Sequence, residues 1–155
     1  MDSRIKTLLG SSALLVVLVA VVLVSRGGDD DAATGKPEVE IPADDPPTEL
    51  LVEDLEEGDG PEAAAGDQIG VSYVGVLYDT GAEFDSNFDS GLPFEFQLGG
   101  GSVIPGWDEG LEGMKVGGRR QLTIPPDLAY GAQGQPPDIP PNSTLVFVID
   151  LLSVN

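Results

Sequence analysis

The sequence predicts an α+β domain that is mostly β, with five to six antiparallel strands wrapped around one short helix. Three observations predict it. Apolar and polar residues alternate along several short runs, which is strand spacing. Clusters of Gly, Pro, Asp and Asn separate those runs. A single stretch, beginning at Pro105, repeats its apolar residues at helical spacing.

Ahead of that domain lie two segments of opposite character. Thr7 to Ser25 contains no charged residue. At about 1.5 Å per residue, a helix of this length nearly spans a hydrocarbon core of roughly 30 Å. Arg4 and Lys6 precede it, which places the N-terminus in the cytoplasm and the rest outside. A cleaved signal segment is the competing reading. Its apolar core runs to about 7–15 residues and ends in a small-x-small site. Here the run is longer and no Ala-x-Ala follows directly, which favours an anchor over residues 1–26. Both readings export the body: membrane-anchored outside the cytoplasm, or secreted. Residues 27–47 are rich in Gly, Pro, Asp and Ala, with almost nothing to bury. They read as an acidic, disordered tether.

The domain occupies residues 48–155. Leu50, Val52 and Leu55 suggest a first strand before the turn Gly58-Asp59-Gly60. Ile69 to Leu77 alternates as a second, closed by Asp79-Thr80-Gly81 and followed by a short step at Phe84. Phe94, Phe96 and Leu98 alternate, as do Leu122 and Ile124 before Pro125-Pro126. Leu145 to Leu152 is apolar and β-branched with one charge, Asp150, as a central strand requires. The helix signal is Pro105 at a first-turn position, then Trp107, Leu111 and Met114, with Gly113 and Gly117-Gly118 to close it.

Composition excludes much chemistry. The chain has 155 residues, 27 acids, 7 bases and a net charge of -20, with no His and no Cys. There is no disulfide, thiolate nucleophile or zinc-thiolate site, and no imidazole base. A surface this acidic repels phosphate, so nucleic acid is not a partner. The same charge opposes self-association, which favours a monomer.

Motifs for other chemistry fail on their spacing. Gly99-Gly100-Gly101-Ser102 lacks the Gly-Lys-Ser/Thr of a phosphate loop. Asp85-x-Asn87-x-Asp89 opens like a calcium loop, but Ser90 and Phe96 stand where Gly and Glu are needed. No metal and no cofactor is expected. Asp108, Glu109 and Glu112 read as the solvated face of the helix.

Aromatic residues come from separate elements: Tyr73, Phe84, Phe94, Trp107, Tyr130 and Phe147. By residue type alone they read as a core. Their ordered context adds more. Ser72-Tyr73-Val74-Gly75, Phe84-Asp85-Ser86, Pro93 to Gly99, Val103-Ile104-Pro105-Gly106-Trp107, Ala129-Tyr130-Gly131 and Ile139-Pro140-Pro141 through Phe147 occur in series. Together they closely resemble the FKBP-type peptidyl-prolyl cis-trans isomerases, over essentially the whole of residues 48–155.

The resemblance implies an apolar cavity floored by Trp107 at the helix start. Its walls would be Tyr73, Phe84, Asp85, Phe94, Val103, Ile104, Tyr130, Ile139 and Phe147. It implies proline-containing polypeptides as substrates, and immunosuppressant macrolides as ligands. The Ile104 backbone N–H would anchor a substrate carbonyl, with the Tyr130 hydroxyl a second donor and Asp85 an organiser. Gln135, Pro137 and Asp138 depart from familiar members in the loop that would overhang the cavity. A proline-binding or chaperone module with little turnover is the alternative function.

Overall fold

The computed structural model describes residues 35–155. Six strands form one sheet: β1 (Leu51–Glu56), β2 (Gln68–Leu77), β3 (Glu83–Ser86), β4 (Phe94–Gln97), β5 (Arg119–Ile124) and β6 (Leu145–Val154). Its order is β1-β5-β6-β2-β3, and β4 also pairs with β2. Every pairing is antiparallel. Among the described residues one α-helix, α1 (Pro105–Gly110), packs on the inner face. This is the fold class the alternation predicts.

The expected central strand is central. β6 lies between β5 and β2, and Leu145 to Ile149 are all buried. β2 shares its other edge between two partners. β4 takes Gln68 to Val71, and β3 takes Val74 to Val76. β1 forms the outer edge beside β5, and all six of its residues are exposed.

The helix sits unusually close to β5. A Cβ on Gly106 would lie 2.5 Å from Ile124 Cγ2, and one on Gly110 would lie 2.7 Å from Leu122 Cδ2. Two glycines one turn apart therefore let the helix backbone rest on two buried side chains of the sheet. α1 is also shorter than its spacing predicts. It ends at Gly110, and Met114 is reached through a turn in which the Gly113 amide bonds to the Ala63 carbonyl at 2.9 Å. Arg120 finishes the end of the helix. Its guanidinium donates to the carbonyls of Gly110 (2.8 Å) and Glu112 (3.2 Å), and pairs with Asp54 on β1 at 2.6 Å. A cation at a helix C-terminus meets its unpaired carbonyls favourably.

The outer face is where the expected tether differs. Residues 27–34 lie outside the described residues, as does the candidate anchor at 1–26. Residues 36–45, however, run over the sheet. Val39 and Ile41 pack on Val76, Tyr78 and Val146. The Tyr78 hydroxyl bonds to the Asp44 carbonyl at 2.9 Å, and Gln121 donates to the Glu40 carbonyl at 3.2 Å. The physical reason is a short period-two pattern inside an acidic stretch. Pro37, Val39 and Ile41 are partly buried while Lys36, Glu38 and Glu40 are exposed. Among the described residues, no helix is long and apolar enough to cross a membrane.

The close approach makes Gly106 intolerant of a side chain. Gly106→Ala gains up to about 1 kcal/mol of helix propensity but loses about 1–3 kcal/mol to overpacking against Ile124. Urea unfolding should show a net loss of about 1–2 kcal/mol.

Candidate active site

Trp107 stands at the third position of α1, 4% exposed and ringed by aromatics. Tyr73 and Phe147 meet it edge-on, with centroids at 5.1 and 5.2 Å. Phe94 meets it at 6.1 Å and Phe96 at 5.7 Å. Phe84 in turn stands edge-on to Phe147 at 5.5 Å. Such contacts fix ring orientation as well as burying area. Between these rings lies a cavity of about 210 Å³.

The cavity is lined by Tyr73, Phe84, Asp85, Phe94, Ser102, Val103, Ile104, Trp107, Tyr130 and Phe147. Nine of the ten residues expected at the site are among them. Ile139 is not. It is 4% exposed and packed in the core, with its amide and carbonyl both bonded to Gln135. Gln135, Pro137 and Asp138 are exposed and do not line the cavity either. Ser102, which the sequence offers only as the end of a failed phosphate loop, joins the lining, because a lone Ser after three glycines carries no cavity signal of its own.

Strands bring these side chains together, and three polar residues hold the strands in place. Asn87 is the first. Its Oδ1 accepts the Tyr73 amide at 2.7 Å, and its Nδ2 donates to the carbonyls of Val71 and Leu92, both at 3.1 Å. One side chain thus spans the gap left on the edge of β2 between β3 and β4. The Asp85-x-Asn87-x-Asp89 pattern that mimics a calcium loop is in part this staple. Asp108 is the second. Its carboxylate accepts the amides of Gly99 (2.8 Å) and Gly101 (3.0 Å), and so fixes the loop leading to Ser102 and Val103. The expectation of a purely solvated helix face therefore fails at Asp108.

Asp85 is the third. Its Oδ2 accepts the Tyr73 hydroxyl at 2.9 Å, and its Oδ1 accepts the Ser86 amide at 2.9 Å. Both oxygens are already engaged. Burial first, and the Asp85 hydrogen bond second, hold the Tyr73 phenol above its ordinary pKa. Burial, followed by the Asp85 charge, also raises Tyr130. Gly75 completes the wall by omission. A Cβ there would lie 2.6 Å from a ring carbon of Phe147 and 2.8 Å from one of Phe84.

Some donors remain unspent. Among the described residues, the Tyr130 hydroxyl and the Ile104 amide make no hydrogen bond. The buried Trp107 Nε1 has no partner. An apolar cavity with free N–H and O–H groups, and with its one carboxylate already bonded, suits a small apolar ring flanked by carbonyls. That is the class of site: apolar walls with hydrogen-bond donors at hand, no His or Cys, and a carboxylate already bonded to Tyr73 and Ser86.

Comparison with known proteins agrees. Residues 60–152 match the family described as FKBP-type peptidyl-prolyl cis-trans isomerase. A protein named FK506-binding protein from Streptomyces anulatus is 54% identical over 120 residues, covering 77% of this chain and 97% of that one. A probable FK506-binding protein from Corynebacterium glutamicum is 50% identical over 118 residues, covering 76% and 98%. The crystal structure of AtFKBP13 superposes with a TM-score of 0.63 at 41% identity, covering 68% of this chain and 93% of that one. The chain belongs to the FKBP-type peptidyl-prolyl cis-trans isomerase family. The 120-residue match is too long to fit within residues 48–155, so it takes in part of the segment that runs over the outer face.

Asn87 is the staple whose loss is easiest to read. Asn87→Ala leaves the Tyr73 amide and two carbonyls without their partner. Denaturant unfolding should report a loss of about 1–3 kcal/mol. The ring signals of Tyr73 and Phe94 in NMR spectra should shift more than the methyl signals of Leu122 and Ile124.

Proposed function

We propose that the chain catalyses cis-trans isomerisation of X-Pro bonds in polypeptides outside the cytoplasm, and so assists their folding. The observation that carries this is the aromatic cavity with unspent donors beside it. Its volume of about 210 Å³ exceeds the roughly 150 Å³ apolar cavity known to take up benzene. A prolyl ring fits such a space with its flanking carbonyls at the rim. The uncharged stretch from Thr7 to Ser25, with bases before it, supports export and a membrane anchor.

Rotation about the X-Pro bond costs about 18–20 kcal/mol in lost amide resonance, and the unaided step takes tens to hundreds of seconds. The planar amide is the more dipolar state. A dry aromatic wall solvates it poorly, and so narrows the gap to the twisted state. Trp107 floors the cavity under the ring, with Phe84, Phe94, Val103 and Phe147 around it. The Ile104 N–H holds a substrate carbonyl, and the Tyr130 hydroxyl offers a second donor. Asp85 fixes Tyr73 in place by accepting its hydroxyl hydrogen bond. A hundredfold acceleration requires only about 2.7 kcal/mol of this differential stabilisation. Binding of FK506-type macrolides, as the relatives' names record for those proteins, is proposed for the same cavity.

Exchange NMR on a short proline peptide tests the reading directly. Micromolar full-length chain should broaden the cis and trans signals into exchange. Saturable binding without faster exchange would replace catalysis with a binding role, and neither effect would sink both.

The rate should also be flat from about pH 6 to pH 9, because the two phenols of the cavity, Tyr73 and Tyr130, keep their protons there. Tyr73 and Tyr130 have folded pKa values raised above their ordinary 10.0. The stability they contribute is complete below that value and is lost as pH rises through the folded ones. Activity should therefore fall only at the alkaline end, and an imidazole-like step near pH 6.5 would contradict the assignment.

A further inference from the structure

Residues 36–45 touch the β2–β3 hairpin at three places. Lys36 Nζ lies 3.0 Å from Glu83 Oε2 on β3 and 3.7 Å from Asp89 Oδ2 in the turn beyond it. Ile41 reaches the hairpin turn, where a Cβ on Gly81 would sit 3.7 Å from its Cδ1. Asp44 and Asp45 present their carbonyls to the Tyr78 hydroxyl at 2.9 and 3.3 Å, just before that turn. These contacts converge on the part of the sheet with the least support of its own. β3 has four residues and three paired positions, with an irregularity between Gly75 and Val76. No strand lies on its far side.

β3 is also the cavity wall that carries Phe84 and Asp85. We propose that residues 36–45 are a strap that sets the position of this wall, with Lys36 as a positioning residue acting through Glu83. The strap tunes how tightly the cavity holds its proline peptide, and does so from the opposite face of the sheet. Three features converge on this role. The apolar side chains of the strap alternate inward, so it docks as one extended piece rather than at a single point. Lys36 bridges two acids of the hairpin in a surface otherwise crowded with carboxylates, where one cation relieves local repulsion as well as forming a pair. The strap also lies in a part of the chain shared with the Streptomyces relative, outside residues 60–152 that match the family.

The proposal rests on the cavity being the proline site, so its test needs a readout that requires no substrate. In the full-length chain, Ile41→Asp should undock the strap, and Lys36→Gln should remove only its ion pairs. Amide exchange at residues 83–86 should speed up at least about tenfold in Ile41→Asp, with β4 and the residues 68–71 it pairs with, which the strap does not touch, unchanged. Proline-peptide affinity should weaken about threefold in Lys36→Gln and recover in Lys36→Arg. Adding Lys36→Gln to Ile41→Asp should change nothing further, because an undocked strap no longer presents Lys36. Unchanged exchange at 83–86 would overturn the proposal, as would an equal rise across all strands, which marks general destabilisation. A chain that shows the exchange effect but no turnover would fault the isomerase reading alone.

Discussion

The structure depends on how closely one short helix lies against β5. With side chains at Gly106 and Gly110, the helix would stand off from Ile124 and Leu122. Trp107 would then leave the plane where Tyr73, Phe94, Phe96 and Phe147 reach it. The helix has six residues, too few to be stable on its own. It is held by what surrounds it: Leu122 and Ile124 beneath, Arg120 at its end, and the rings around Trp107. The floor of the cavity is thus held from several sides, and its indole N–H stays without a partner.

Polar groups divide into two kinds around that floor. Those that build the walls are fully engaged: Asn87 spans three backbone groups, Asp108 two amides, and Asp85 a hydroxyl and an amide. The donors left over, at Ile104 and Tyr130, sit at the cavity. Both are only partly buried, so they remain accessible at the cavity, whereas the Trp107 indole N–H is buried without a partner. A carboxylate with both oxygens bonded is a firm strut. This is how a chain without His or Cys supports a reaction in which no proton need move.

Most of the sheet was legible in the sequence, because strand alternation survives wherever one face is buried. Leu145 to Leu152 reads as a central strand and is one. The cavity residues were legible through the ordered series of motifs rather than through composition, since Trp107 and its neighbours are equally good core residues. What could not be read was closeness and pairing. Gly106 and Gly110 look like weak helix positions until Ile124 and Leu122 are seen beneath them. Asn87 looks like a fragment of a metal loop, and Asp108 like a solvated acid, until the amides they face are known. Ile139 stands in the same motif series, but is buried in the core and is not among the residues lining the cavity. The strap was missed for a different reason. Its alternation, Pro37, Val39, Ile41, is only five residues long, and the acids around it dominate any average.

A sheet has two faces, and the motif series speaks for only one of them. The inner face holds α1 and the cavity. The outer face of β2 and β6 presents Val76, Tyr78 and Val146, which would be left open to water without Val39 and Ile41. Covering them accounts for the docking of residues 36–45. The location of that cover has a further consequence. An edge strand paired on one side depends on few ladder bonds, and β3 brings Phe84 to the cavity on such a strand. Support for the cavity wall therefore comes from two directions: Asn87 from the inner turn and the docked segment from outside. Two supports of different chemistry on one short strand make its position hard to vary, and with it the position of Phe84 and Asp85 in the cavity wall.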